Sequence, residues 1–396
     1  MTRLATSRLL ALALLMSSSA GCERKVRGAA NQDDIETPMP APRPLRAGVS
    51  WQRVYAGAAG LLDYSWVVTT DTVGNVLVGG AEGVRKRPRP WRQDDEGFVV
   101  KLDQDGKVLW RRRLDVGHRA AWVQDLATDD VGNVYAASFC CEVRKFSPGG
   151  RVLWTHTLEQ TPSSLAAIRG GGVYVCTRAN SRGGGKLERL DAEGEVVWTR
   201  SVFPGLAQPT CAAVTMTEDD AVLVAANSTS SDGGEPVVIR LAPDNTVQWQ
   251  VQLEGTVYPM YGQLVKDVLV LPDGRIIAAT EDLLGTGNST SVLAFARDGA
   301  LLWKRPLESR LAKGDRTPAL AASHDGALLV LGDGELFQIS REGEILRRTA
   351  FREHSVRAFT SDQVGNLIAV GDTERDVVIT KHASADTLLV PSSAPR

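Results

Sequence analysis

One phrase recurs along the chain and constrains its fold more than any other feature. It consists of an apolar run, a polar turn, a second apolar run and a closing Trp. Its copies are VVKLDQDGKVLW at 99–110, VRKFSPGGRVLW at 143–154, LERLDAEGEVVW at 187–198, VIRLAPDNTVQW at 238–249, LAFARDGALLW at 293–303 and LFQISREGEILR at 336–347. Apolar, β-branched flanks favour strands, and Asp- and Gly-rich centres favour tight turns. Each copy therefore predicts a β-hairpin. In the last copy Arg347 takes the place of the Trp.

A second hairpin phrase precedes each copy of the first. It reads TTDTVGNVLVGG at 69–80, ATDDVGNVYAAS at 127–138 and TSDQVGNLIAVG at 360–371, with weaker copies between them. Two hairpins supply four strands, and one blade of a β-propeller needs about 40–45 residues for them. The last inner hairpin has no Trp phrase after it. We therefore expect the N-terminal strand around Trp51 to complete that blade, which leaves no free sheet edge.

The repeats predict an all-β chain with a single β-propeller at residues 49–385, built from seven four-stranded blades. Eight blades remain an alternative, and so does an open solenoid, which the split Trp phrase disfavours. The pattern resembles the PQQ-like repeat of quinoprotein propellers, in which D-x-x-G-N-V-Y-V-G precedes L-D-x-x-G-x-x-x-W. It is also similar to bacterial propeller repeats that carry D-x-x-G-N. The resemblance covers nearly all of the predicted propeller.

The N-terminus predicts export and a lipid anchor. Residues 1–22 combine a basic start, a short apolar run and small residues, which is typical of a secretory signal peptide. The ending SAGC resembles the lipobox of bacterial lipoproteins, and that resemblance implies acylation of Cys22. The alternative is an ordinary cleaved signal. Glu23 stands where an Asp would imply retention in the inner membrane, so the outer membrane is favoured. Residues 23–48 predict a disordered tether, and residues 386–396 a C-terminal tail.

Cysteine usage and charge narrow the function classes. Cys140, Cys141, Cys176 and Cys211 remain beyond the predicted anchor, and export permits disulfides among them in three complete connectivities. A cross-link from the adjacent pair to Cys176, or free thiols in that pair, also stays open. The formal net charge of −2 gives no argument for nucleic acid. We expect no nucleic-acid partner and a monomeric propeller.

No catalytic constellation emerges from the sequence. The quinoprotein resemblance raises pyrroloquinoline quinone and a disulfide between adjacent cysteines, which Cys140 and Cys141 would fit. The chain lacks the extra length and an identifiable calcium-ligand set, so we expect no cofactor and no metal. His118 and His354 fall between blades, where lyases of propeller fold place such residues. We interpret them as loop residues. A lyase or quinone-dependent oxidoreductase is the least favoured class.

Three groups of residues are candidates for a ligand or partner surface. The first is a basic run in blade one, with Arg85, Lys86, Arg87, Arg89 and Trp91. The second is a set of aromatic residues near blade connections, comprising Trp66, Trp122, Tyr258 and Tyr261. The third comprises Asp125 and Asp267, at corresponding places in blades two and five. Each group has a structural alternative: a solubilising insertion, or packing between blades.

The function predicted from these features is a non-catalytic, lipid-anchored platform that binds a protein partner in the bacterial cell envelope. A propeller lipoprotein that assists outer-membrane protein assembly is similar in fold and location, although no residue motif carries its partner over. The alternative is a sensor that binds a glycan or small ligand at the channel mouth.

Overall fold

The computed structural model describes the propeller strands and most of their turns. The described residues are 48–55, 62–84, 96–114, 121–180, 183–202, 209–227, 236–253, 263–282, 289–308, 318–323, 326–332, 334–350, 355–373 and 376–383. Within them every regular element is a β-strand, and the strands form seven four-stranded antiparallel sheets. The predicted fold class and the predicted number of blades are confirmed.

The blades follow one another along the chain, each beginning with its innermost strand. Blade 1 contains β2 (Leu62–Thr70), β3 (Val76–Val84), β4 (Glu96–Leu102) and β5 (Val108–Leu114). Blade 2 contains β6 (Val123–Thr128), β7 (Val134–Ser138), β8 (Glu142–Phe146) and β9 (Val152–Thr157). Blade 3 contains β10 (Pro162–Ala167), β11 (Val173–Thr177), β12 (Lys186–Leu190) and β13 (Val196–Ser201). Blade 4 contains β14 (Thr210–Met216), β15 (Val222–Asn227), β16 (Pro236–Leu241) and β17 (Val247–Gln252).

The remaining blades keep the same order except at the closure. Blade 5 contains β18 (Gln263–Val270), β19 (Ile276–Asp282), β20 (Ser289–Phe295) and β21 (Leu301–Leu307). Blade 6 contains β22 (Ala319–Ala322), β23 (Leu328–Gly332), β24 (Glu335–Ile339) and β25 (Ile345–Ala350). Blade 7 contains β26 (Ser355–Ser361), β27 (Leu367–Asp372), β28 (Val377–His382) and, as its outer strand, β1 (Val49–Tyr55).

The N-terminal strand closes the ring as predicted. β1 pairs antiparallel with β28, with Trp51 opposite Lys381, and Ala383 N donates to Gly48 O at 3.2 Å. Successive innermost strands contact one another around the ring, and β26 contacts β2. Among the described residues, a buried apolar cluster lies at each of the seven interfaces between neighbouring blades. A smaller second cluster, with Ala81 and Trp122, lies between blades 1 and 2. The hydrophobic core is therefore divided among the blade interfaces, where it buries the sheet faces.

The recurring Asp of the inner phrase stabilises its own turn. Asp71 Oδ1 accepts the backbone N–H groups of Val73 and Asn75 at 3.1 and 2.9 Å, and its Oδ2 accepts the Asn75 amide at 2.8 Å. Asp129 and Asp362 repeat these bonds in blades 2 and 7. The D-x-x-G-N pattern is thus a turn motif in which side-chain oxygens replace missing backbone acceptors.

Five Trp residues, four of which close an outer phrase, each clamp the next blade among the described strands. Each indole Nε1 donates at 2.7–3.0 Å to a carbonyl in the next outer turn, and each ring lies against a glycine of that turn. Gly150 illustrates the requirement, because its φ is +83° and an added Cβ would lie 2.8 Å from the Trp110 ring. Only glycine meets both conditions without strain. The clamping residues are Trp51, Trp110, Trp154, Trp249 and Trp303.

Two blades depart from the clamp, and the partner blade explains each case. Asn245, with φ +73°, stands at the glycine position opposite Trp198, whose buried Nε1 has no hydrogen-bond partner among the described residues. Arg347 faces blade 7, whose third strand is the last in the chain and whose fourth strand is the first. No hairpin turn connects β28 to β1, so no outer turn exists there to receive a Trp.

The two ends of the propeller differ in construction. We call one end the turn rim, because it carries the short turn between the first and second strands of each blade and, in blades 1 to 6, the turn between the third and fourth strands. We call the other end the loop rim. There the second strand of each blade connects to the third, and each blade connects to the next. Both termini of the propeller, at Gly48 and Ala383, meet at the turn rim.

Candidate functional site

Asp125 and Asp267 occupy equivalent positions on the channel wall. Each follows a β-bulge in the innermost strand of its blade, after Val123 in β6 and after Val265 in β18. One carboxylate oxygen of Asp125 accepts the N–H of Leu126 at 2.8 Å, and the other accepts Leu165 N–H of the next blade at 2.7 Å. The bulge therefore turns a carboxylate toward the neighbouring innermost strand.

Asp267 repeats this bridge three blades later. Its oxygens accept the N–H groups of Val268 at 2.8 Å and of Leu320, in blade 6, at 2.9 Å. Burial, with a smaller contribution from the charge of Asp125, outweighs the two N–H bonds and raises the pKa of Asp267 to about 7. Burial likewise raises the pKa of Asp125 to about 6. Both carboxyl groups join adjacent blades, and their role in ligand or partner binding stays a prediction.

A row of aromatic side chains crosses the loop rim from blade 1 to blade 2. Tyr64 and Trp66 lie 5.8 Å apart between ring centroids, Trp66 and Trp122 lie 5.9 Å apart, and Trp122 and Phe139 lie 4.2 Å apart. Trp122 is buried, whereas Phe139 is 37% exposed. The structure thus brings together the two Trp residues that the sequence singled out. The row combines blade packing with an accessible end at Phe139, whose contribution sequence reasoning missed.

Cations surround the loop rim, and almost all of those described there are ion-paired. Lys186 Nζ lies 2.7 Å from Glu159, and Lys266 Nζ lies 2.9 Å from Glu281. The other pairs are Arg111 with Glu82, Arg113 with Glu82 and Glu96, Arg144 with Glu142, and Arg357 with Asp372. These pairs neutralise the charge that each arginine or lysine would otherwise present to a partner.

Arg178 is the exception within the described part of the loop rim. It follows β11, and its Nη2 donates to Gln124 Oε1 in blade 2 at 3.2 Å, while no carboxylate of a described residue lies within ion-pair distance. The side chain is exposed to solvent, yet protein atoms around it lower the pKa of the guanidinium from its ordinary value through desolvation. No sequence pattern distinguishes Arg178 from other arginines, because its isolation depends on which carboxylates the fold brings near it.

The cysteines resolve into one disulfide and two thiols. Cys176 in β11 is bonded to Cys211 in β14, which links blades 3 and 4. Cys140 and Cys141 are thiols in the turn between β7 and β8, where Cys141 has φ +65°. The cross-link from this pair to Cys176, which the sequence left open, does not form. Neither does a disulfide between the two adjacent cysteines.

The channel opens at the turn rim into a polar cavity of about 340 Å³. Hydroxyl groups line much of it, including those of Thr70, Thr72 and Ser323. Its carboxylates are engaged, because Asp71 lies 2.8 Å from Lys101 and Asp362 lies 3.0 Å from Lys381. Trp66 and Trp122 lie toward the other rim, so the structure separates these two aromatic candidates from this cavity.

Several predicted residues lie outside the described residues. They are Cys22, the basic run with Arg85, Lys86, Arg87, Arg89 and Trp91, the aromatic pair Tyr258 and Tyr261, and the two histidines His118 and His354. Their roles remain predictions. Within the described ranges, no group of three or more His, Cys, Asp or Glu side chains is arranged to hold a metal ion. The same ranges include no helix with the length and apolar character needed to cross a membrane.

Comparison with protein families gives a match over more than half of the chain. The family model described as outer membrane protein assembly factor BamB matches residues 141–354. The matched segment begins at the turn after β7 and continues past β25, so it includes most of the propeller repeats. No curated protein matches the chain.

Solved structures share the architecture at low sequence identity. The WD40 repeats of RRP9 match with a TM-score of 0.58 and 14% identity, covering 87% of this chain and all of that one. The C-terminal WD40 domain of Sif2 matches with a TM-score of 0.51 and 11% identity, covering 85% of this chain and 99% of that one. BamB from Moraxella catarrhalis gives 0.47 and 14%, covering 80% and 96%. At these identities the RRP9 and Sif2 matches show the fold alone.

Proposed function

The chain belongs to the family described as outer membrane protein assembly factor BamB, and we propose that it is a non-catalytic protein-binding platform of the bacterial cell envelope. A PQQ-like propeller of this family is consistent with a protein-interaction scaffold. The partner we propose is another envelope protein. The single observation that carries the proposal is the difference between the two rims. At the turn rim, polar side chains stabilise the turns, whereas the loop rim presents aromatic and charged side chains.

The loop rim is the surface that we assign to the partner. Exposed aromatic residues and arginines are enriched in protein interfaces, and Phe139 and Arg178 supply one of each among the described residues. The turn rim is less suited, since its turn carboxylates are engaged with backbone N–H groups and lysines. We include the predicted basic segment 84–92 in the partner surface, because β3, the strand that leads into it in the chain, ends at the loop rim.

We further propose a lipid anchor on Cys22 and a tether at residues 23–48. A lipid chain contributes about 0.8 kcal/mol per buried CH₂ group, so several acyl chains would hold the protein stably on a membrane. The tether would enter the propeller at Gly48, on the turn rim, which leaves the loop rim open to a partner. The outer membrane is the location we favour.

The experiment that tests this function is an affinity capture from crosslinked, detergent-solubilised envelopes of the native host. The bait is the full chain, with Cys22→Ala as the control for lipid anchoring. A second variant neutralises Arg85, Lys86, Arg87 and Arg89. We expect one stoichiometric envelope protein, weakened by the Cys22→Ala change and by neutralisation. Absence of any enriched protein would contradict the proposal and would favour the alternative, a glycan or small ligand bound at the channel.

A further inference from the structure

Arg178 differs from the other described loop-rim cations in a way that points to a ligand. Each of the others lies beside a carboxylate, whereas Arg178 has one hydrogen bond, to the neutral amide of Gln124. The guanidinium carries five N–H donors in a planar fork, and only one of them has a side-chain acceptor among the described residues. An accessible positive charge with unused donors is therefore held at the blade 2–blade 3 boundary.

The position of this charge is set by two blades. Arg178 N donates to Thr161 O at 2.9 Å, which fixes the backbone at the end of β11 beside the start of β10. Its side chain then reaches Gln124, the residue displaced by the β-bulge in β6. Gln124 lies two residues after Trp122, a member of the aromatic row. The fold thus ties the guanidinium to the strand that begins directly after Trp122.

The surroundings also favour an anionic ligand over water. Desolvation lowers the pKa of Arg178, so the charged form lacks part of the stabilisation that bulk water would provide. A carboxylate would stabilise the charged guanidinium through charge-assisted hydrogen bonds, which are about twice as strong as neutral ones. The planar fork matches a carboxylate in a two-bond geometry that a lysine cannot reproduce.

We propose that Arg178 and Gln124 form a carboxylate-binding site for an Asp or Glu side chain of the protein partner, flanked by apolar residues that contact the Trp66–Trp122–Phe139 row. The inference deepens the proposed function, on which it rests, by naming the chemistry of the partner segment. The argument for an acidic partner residue is charge complementarity, since Arg178 is the cation that has no carboxylate beside it within the described part of the loop rim. Gln124 orients the guanidinium, and the aromatic row supplies apolar contact.

The test uses two blocked tripeptides as probes, acetyl-FEF-amide and acetyl-FQF-amide, which differ only in the carboxylate. Binding to the intact chain is followed by NMR shifts of the indole N–H signals, assigned through Trp66→Phe and Trp122→Phe variants. We expect the Glu peptide to bind about tenfold more tightly than the Gln peptide, with a preference that falls as salt rises. Arg178→Gln should abolish the preference, and Arg178→Lys should reduce it.

Lys186→Gln is the matched control, because Lys186 lies on the same rim but already has Glu159 at 2.7 Å. The Glu preference should survive in this variant. Equal binding of the two peptides, no binding of either, or a preference that persists in Arg178→Gln would each overturn the inference. If the envelope capture still yields a partner in that case, the proposed function stands and only its acidic chemistry is wrong. A Glu preference without any captured partner would instead contradict the proposed function alone.

Discussion

The turn rim and the loop rim are built from the same strands, yet they use their side chains differently. At the turn rim, polar groups serve the fold: Asp71 satisfies its turn, Trp110 binds the next blade, and Gly150 makes room for the indole. At the loop rim, Phe139 and Arg178 remain accessible. In this propeller, residues that repeat from blade to blade stabilise the fold, whereas residues that occur in one blade only are the candidates for binding.

Replacing a glycine that lies against a clamping Trp at the turn rim should give the largest loss of stability. Gly150→Ala combines a left-handed backbone with a Cβ 2.8 Å from Trp110, so we expect a loss of about 2–4 kcal/mol in the free energy of unfolding. Gly274→Ala is the matched control, since its φ is +82° but no atom lies within 4 Å of its Cβ. It should cost only about 1–2 kcal/mol. Urea denaturation measures both, and equal losses would contradict the clamp.

Carboxylates at the turn rim and in the channel should respond oppositely to pH. Burial raises the pKa of Asp71, but bonds from Lys101 and Asn75 outweigh this and hold the pKa below its ordinary value. That contribution to stability is present above about pH 4 and is lost as the pH falls. Asp267, with a pKa of about 7, behaves in reverse. The folded state binds its proton more tightly, so its contribution is full below about pH 4 and is lost as the pH rises through 7.

Asp267→Asn separates these effects. The amide does not titrate, so the unfolding free energy of the natural protein should fall by about 1–3 kcal/mol relative to the variant between pH 5 and 8. Any constant cost from the lost N–H acceptor does not change this pH-dependent difference. Urea denaturation at several pH values measures it. Parallel curves would show that Asp267 is ionised throughout, contrary to the account.

Placing glycine in the outer turn of blade 4, where Asn245 replaces the usual glycine, should stabilise the propeller slightly. Asn245→Gly removes the Cβ at a left-handed position opposite Trp198, so the indole can approach and donate its unused N–H. We expect a gain of about 0.5–1 kcal/mol by thermal or urea denaturation. In a Trp198→Phe background the hydrogen-bond part of the gain should disappear. An unchanged or lower stability in the natural background would contradict the explanation of the missing bond.

Substitution of the loop-rim arginine should have the smallest effect on stability. Arg178→Gln changes an exposed side chain with one neutral hydrogen bond, so the unfolding free energy should stay within about 0.5 kcal/mol. A urea midpoint shift equivalent to more than about 1 kcal/mol would assign Arg178 to blade packing. Together with Gly150→Ala, this result would sharpen the distinction between a structural rim and a binding rim.

The architecture could be predicted from the sequence because the two recurring phrases encode short-range interactions. Asp, Gly and Asn at fixed offsets close turns, and one Trp per blade reaches the next blade, so both signals recur wherever a blade recurs. Even the replacement of Trp by Arg347 becomes intelligible, since blade 7 has no outer turn to clamp. Closure by the strand around Trp51 was also predictable from the missing seventh phrase.

The candidate site was predictable only in part. The equivalence of Asp125 and Asp267 could be seen in the repeat, but their bonds to the next blade depend on bulges that the sequence does not mark. The disulfide between Cys176 and Cys211 requires knowing which blades are neighbours. Arg178 could not have been found, because an unneutralised charge is defined by the positions of distant carboxylates.

The central claim is that partners bind the loop rim, and photo-crosslinking from each rim of the full-length chain tests it most directly. Benzoylphenylalanine is placed at Phe139 or Glu159 on the loop rim, and at Val131 or Val364 on the turn rim, where both valines are exposed. After irradiation in native envelopes, the account predicts one crosslinked protein from the loop-rim positions and none from the turn-rim positions. Crosslinks to a defined protein from Val131 and Val364, with none from Phe139 and Glu159, would contradict it.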